Sequence, residues 1–225
     1  MASEIRDRAG LSAPIPGPTA VAALLAPLGI IVASLAIPAG VDELPDTEEK
    51  VARILDIVAA HPFGTRLGFL SFAVGMLLLL AAMAALRTVA EREPRGRTLT
   101  QLGTWLIAVA AGALAIGNSF APASEPSAVQ PGLPRDVMIQ YMHYHLLNGW
   151  AWAIIAFYPL LPLGAILLGI GLWRSRVLGR VATLLIAVPL AALIALPLSL
   201  PTLPLGLALE LGLVLALRQE WPRRR

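Results

Sequence analysis

Between Arg180 and Arg218 the chain runs for 37 residues with a single charge, Glu210. As one helix rising about 1.5 Å per residue, this stretch would reach about 55 Å, against a hydrocarbon core of about 30 Å. It has to turn back. Pro197, Pro201 and Pro204 mark the place, because proline lacks an amide donor and clashes inside a helix. Two short apolar helices are expected, at about 181–196 and 202–217, and a re-entrant hairpin is the rival reading.

Four more apolar stretches precede these. They lie at about 18–37 (interrupted by Pro27), 62–86, 99–118 and 146–173 (with Pro159 and Pro162). Several exceed the roughly 18 uncharged residues that mark a membrane-spanning helix. Only 14% of the 225 residues are charged, where a soluble domain carries roughly a quarter. The expected fold class is an all-α membrane protein, a six-transmembrane-helix bundle forming one domain over 1–225. Thr98 with Gln101 three residues on reads as a capping box opening the third helix.

Arginine placement sets the expected threading. With both termini cytoplasmic, the tail 1–17, the loops 87–98 and 174–180 and the tail 218–225 hold 13 basic residues. The external segments 38–61, 119–145 and 197–201, with the helix ends beside them, hold Lys50, Arg53, Arg66 and Arg135. The first apolar run, about 20 residues behind a segment with no net positive charge, fits a span better than a cleaved signal peptide.

The external segment "DTEEKVARILDIVAAHP" repeats Val51, Ile54, Leu55 and Val58 at i, i+3, i+4, i+7, which is an amphipathic helix. Asp46 or Thr47 would cap it. Its bland role is to lie on the membrane or cover the outer mouth; the sharper one is a lid or a docking helix. Asp136, Gln140 and His143 form one polar stripe in the second external segment.

Glu210 lies near mid-bilayer on this threading. Hydrocarbon disfavours an ionised carboxylate there by about 3 kcal/mol. The carboxyl is therefore expected to be neutral unless a cation meets it. Ser71 and Tyr158 match its depth, and Arg66 could dip toward it, so Glu210, Arg66, Ser71 and Tyr158 form a candidate intramembrane polar site. The favoured reading is a neutral hydrogen-bond donor joining helices. The alternatives are proton or cation coupling, holding a substrate, or a last helix shifted so that Glu210 nears the inner boundary.

The three histidines, His61, His143 and His145, fall at external helix ends and form a candidate cluster for zinc, copper or haem. The i, i+2 spacing of His143 and His145 points them to different sides of a helix. No cofactor is therefore assigned. Gly64, Gly68, Ser71 and Gly75 line one helix face, a small-residue seam that admits a close neighbour. Cysteine is absent, which removes disulfides and thiolate metal sites. No phosphate-binding glycine loop, nucleophile elbow or zinc-protease motif occurs, and no basic patch interleaved with aromatics suggests nucleic acid.

The stretch "DTEEKVARILDIVAAHPFGTRLGFLS", followed by the arginine-rich turn "LRTVAEREPRGRTL", resembles uncharacterised six-pass bacterial membrane proteins, domains of unknown function. The likeness covers about the first half of the chain. It implies a bacterial inner (plasma) membrane and supplies no catalytic residue. The partners expected are the lipid bilayer and a membrane protein or a second copy of the chain. The reading that follows is a non-enzymatic, partner- or lipid-binding component. A small transporter or channel using Glu210 and a redox or metal protein using the histidines are the alternatives.

Overall fold

The structure, a computed structural model, describes residues 17–41, 47–91, 93–128, 132, 134–148, 156–196 and 198–220. Among these the elements are α1 (Gly17–Ala36), α2 (Glu48–Ala60), α3 (Pro62–Ala90), α4 (Arg97–Ala128), α5 (Arg135–Asn148), α6 (Leu160–Ser175), α7 (Arg180–Ala192), a short 3-10 turn (Leu200–Thr202) and α8 (Leu203–Glu220). The described residues contain no strand.

Six helices form a closed circuit. α1 packs on α3, α3 on α4, α4 on α6, α6 on α7, α7 on α8, and α8 returns to α1. Glycine sets how closely they meet. A Cβ on Gly75 would stand 2.9 Å from both the Ala26 carbonyl and the Gly29 Cα, so α1 and α3 touch backbone to backbone. The same holds between α4 and α6, where a Cβ on Gly103 would stand 2.6 Å from the Gly164 carbonyl. Near the α4 start, Gly96 takes φ +85 and lies against Gly171. The pairings run in opposite order along the two helices, Gly96 with Gly171 and Gly103 with Gly164, so α4 and α6 are antiparallel, as are α1 and α3. Close backbone approach of this kind is how helices associate where apolar burial gives no preference between lipid and protein.

Every helix of the circuit buries an aliphatic stripe. Ile30, Met76, Ile107, Leu168, Ile186 and Leu209 are each 2% exposed or less. Each also leaves an apolar stripe outside, such as Leu25, Leu28 and Val32 on α1 or Leu163, Ile166 and Ile170 on α6. Soluble monomers rarely show so much contiguous apolar surface. Among the described residues four helices are long and apolar enough to cross a membrane: α1, α3, the Arg97–Gly117 part of α4, and Leu200–Arg218. α6 and α7 are apolar but shorter. α6 begins at Leu160, and α4 continues beyond Asn118 to Ala128.

The expected capping box at Thr98 is not the start of α4. The helix begins at Arg97, after Gly96, and Gln101 donates its side-chain amide to Glu91 Oε1 at 3.4 Å. The left-handed Gly96, wedged against α6, fixes where the helix opens, so no side-chain cap decides it.

α1 and the 3-10 turn before α8 are joined by hydroxyls. Ser34 Oγ lies 2.6 Å from Thr202 Oγ1, 2.8 Å from the Ile30 carbonyl, and Thr202 Oγ1 lies 2.8 Å from the Ser199 carbonyl. Two hydroxyl protons serve these three contacts, so at any moment one hydroxyl donates across the seam and the other donates to its own chain.

α2 and α5 lie at the end of the circuit opposite its arginine-rich turns. α2 opens at Thr47, whose hydroxyl accepts from the Lys50 amide at 3.3 Å, with Glu48 and Glu49 in the first turn. Asp46, the other cap expected, lies outside the described residues. The four apolar residues read from the sequence, Val51, Ile54, Leu55 and Val58, are the ones α2 buries. They face α3, α4 and α5.

Candidate functional site

The four residues grouped around Glu210 stand on different helices. α1 presents Gly29 to α3 at Ser71 and Gly75, and presents Ile30 and Ile31 to α8 at Gly206. Ser71 and Glu210 therefore lie on helices that pack on different faces of α1. Arg66 is exposed on α3. Tyr158 is half-buried in the turn leading into α6, which packs on α4 and α7. Glu210 is half-buried one turn beyond Gly206, and its Oε2 is enclosed without a hydrogen-bond partner. One turn earlier, Gly206 lies against Ile30 and Ile31 of α1, about a turn from the buried Pro27. Proline at 27 frees the carbonyl four residues earlier, at Ala23, from the helix ladder. The register from Gly206 against Ile30 and Ile31 puts Glu210 on α8 about level with this defect on α1, which the sequence spacing of α8 alone does not reveal.

The histidines sit at the α2 and α5 end. His61 joins α2 to α3 and is exposed, and its backbone carbonyl accepts from the Thr65 amide and hydroxyl. His143, on α5, is half-buried with Nδ1 enclosed and unpartnered. The side chain of His145 lies outside the described residues. Among the described residues no three histidine, aspartate or glutamate side chains gather to hold a metal ion.

At this end Arg135 of α5 donates to Asp56 of α2 at 2.7 Å. The guanidinium holds the Asp56 carboxyl below the usual carboxylate range. Stabilisation from such a depressed acid is complete above its unfolded value and is lost as pH falls through the folded one. Asp56→Asn is therefore expected to melt slightly below the parent chain at pH 7 and together with it well below about pH 4. Both partners are more than half exposed, so the difference is small. Melting curves of the two proteins at both pH values test it; a gap that survives acidification contradicts it.

The opposite end carries a different arrangement. The turn before α4 packs against α6 near its end, Gly96 against Gly171, close to the turn between α6 and α7. Between them lies an open pocket of about 720 Å³ lined by Arg95, Arg174, Arg176 and Arg180 with Trp173 and Gly96. All four arginines are exposed, and among the described residues no carboxylate lines the pocket. Arg180 places its guanidinium 5.1 Å from the Trp173 ring. Glu91, on the neighbouring turn, is engaged elsewhere: Arg87 donates to it at 2.9 Å and holds its carboxyl low. Arg176 ends α6 at φ 56, the one non-glycine residue with positive φ among the described residues.

Sequence reasoning used these arginines for orientation and did not group them. They come from turns some eighty positions apart. The signal that could have joined them is the glycine beside each turn, Gly96 and Gly171, since two glycines on neighbouring antiparallel helices permit contact.

No protein-family model, characterised protein or solved structure matches this chain.

Proposed function

We propose that this chain is a non-enzymatic multi-pass membrane component that works through its surface, binding lipid or a membrane partner. On this reading all six helices of the circuit cross a bacterial cell membrane, the arginine-rich turns lie in the cytoplasm with both termini, and α2 covers the external end. The observation that carries it is the make-up of the bundle: all six helices contribute aliphatic side chains to its buried stripes, and α1 with α3 and α4 with α6 close backbone to backbone at glycines. Such a bundle is a rigid body, and its chemical variety lies at its two ends. The resemblance of the first half to uncharacterised six-pass bacterial proteins agrees with this placement.

A second reading, proton or cation coupling, is favoured by the enclosed, unpartnered Oε2 of Glu210. The two readings separate in proteoliposomes. The surface-binding reading expects proton and cation flux equal to empty vesicles, with Glu210→Gln the same. Flux in the parent protein that disappears in Glu210→Gln overturns it in favour of coupling.

A further inference from the structure

We propose that the arginine-lined pocket between the α4 entry turn and the α6–α7 turn binds a phosphate group, and that the phosphate is the headgroup of an anionic phospholipid. The inference deepens the surface-binding reading and rests on it.

The chemistry of the lining calls for an anion. Four arginines line one open space, and among the described residues no carboxylate lines it. A planar guanidinium offers paired donors that match phosphate oxygens and is weakly hydrated, so it gives up water readily. α7 starts at Arg180 on the pocket wall, and no side chain caps its first turn. The positive end of that helix adds to the field. Empty, the pocket holds like charges together, and a bound phosphate relieves that repulsion.

The surroundings point to a lipid as the source. Trp173 stands on the rim, 44% exposed, and tryptophan with an apolar body and polar edge favours the interfacial level of a bilayer. From it the exposed face of α6 continues through Ile170, Ile166 and Leu163, spaced as one stripe along the helix. A headgroup seated among the arginines would lay its acyl chains along this stripe. A soluble phosphate has no use for it. Basic pockets at the cytoplasmic ends of membrane helices are a general solution for such headgroups.

Arg176 supplies the decisive variant. A left-handed residue ending a helix is ordinarily glycine, because a Cβ there is strained. An arginine in this position holds its charge at the pocket at a cost in backbone strain. Arg176→Gly removes the guanidinium and the strain together, so the fold is kept while the ligand is weakened.

The test uses the full chain purified in a neutral detergent and titrated with phosphatidylglycerol, phosphatidylcholine or inorganic phosphate, with bound molecules counted by native mass spectrometry. The expected result is retention of phosphatidylglycerol over phosphatidylcholine. Arg176→Gly should weaken that retention roughly tenfold, the size of one charge-assisted hydrogen bond, with an unliganded Tm equal to or above the parent's. Arg174→Gln should weaken it similarly, and Arg87→Gln, at the same end but outside the pocket, should not. Equal retention of the two lipids, or undiminished retention in both pocket variants, overturns the proposal. Binding of inorganic phosphate that phosphatidylglycerol does not displace overturns the lipid as source. None of these outcomes depends on the flux measurement, so this site and the surface-binding reading can fail separately.

Discussion

Gly103→Leu is expected to separate α4 from α6 and to cost the bundle its largest loss of stability. A side chain at this position has no room. Its first carbon would stand 2.6 Å from the Gly164 carbonyl and 2.9 Å from the Leu168 Cα. Both are backbone atoms, so no rotamer change clears them. The reverse side is as tight, since a Cβ on Gly164 would meet the Gly103 carbonyl and the Ile107 amide nitrogen at 2.9 Å. Overpacking a close-packed seam costs about 1–3 kcal/mol, and a leucine here lies at the upper end or beyond. Separation would also release Gly96 from Gly171, and with it the start of α4. Gly112, on the same helix, has nothing within 4 Å of its Cβ position. Gly112→Ala should therefore be neutral or stabilise by up to about 1 kcal/mol through helix propensity. Thermal unfolding and size-exclusion profiles in detergent compare the two. A Gly103→Leu protein that melts with the parent would show that this crossing is not what holds α4 to α6.

Ile54→Ala should undock α2 while leaving the six-helix circuit intact. Ile54 is 1% exposed and sits at the middle of a four-residue apolar stripe. Truncating a buried isoleucine to alanine costs about 2–5 kcal/mol. α2 has only 13 residues, too few to be stable as an isolated helix, so its order depends on docking. The loss is therefore local: a protease should cut within Glu48–Ala60 much faster in the variant, while the Tm of the remaining bundle hardly moves. Glu49→Ala, on the exposed face, is the control and should resist cleavage like the parent. A bundle that unfolds together with α2 would show that the surface helix and the circuit are one cooperative unit.

What the sequence revealed followed from short-range periodicity. The stripe Val51, Ile54, Leu55 and Val58 is legible because helical spacing alone places those four side chains on one face, and one face of a surface helix must be buried. The small residues at Gly68, Ser71 and Gly75 were legible as a seam for the same reason, and α1 fills it. Helix boundaries were less so. The start of α4 is decided by Gly96 against Gly171, a contact between distant parts of the chain, while Thr98 and Gln101 carry a local signal that the packing overrides. The environment of Glu210 was hidden in the same way. Matching depths suggested Ser71 and Tyr158, but depth says nothing about which helices are neighbours. In the fold α8 packs on α1 and α7, whereas Ser71 is on α3 and Tyr158 leads into α6. The arginine pocket combines both limits, since each turn is visible locally and only the α4–α6 crossing makes them one site.

The short helices on one side of the circuit have a consequence for the surrounding lipid. α6 has 16 residues and α7 has 13, which at about 1.5 Å each extend about 24 Å and about 20 Å. α3, on another side, has 29 residues. On the proposed six-span reading, a bilayer sealing around such a body would meet unequal hydrophobic heights on its two flanks. It would have to thin beside α6 and α7, at a cost of a fraction of a kcal/mol per Å of mismatch. The molecule would thus prefer thin membranes and, when crowded, would gather with its short flank against other short-spanning neighbours.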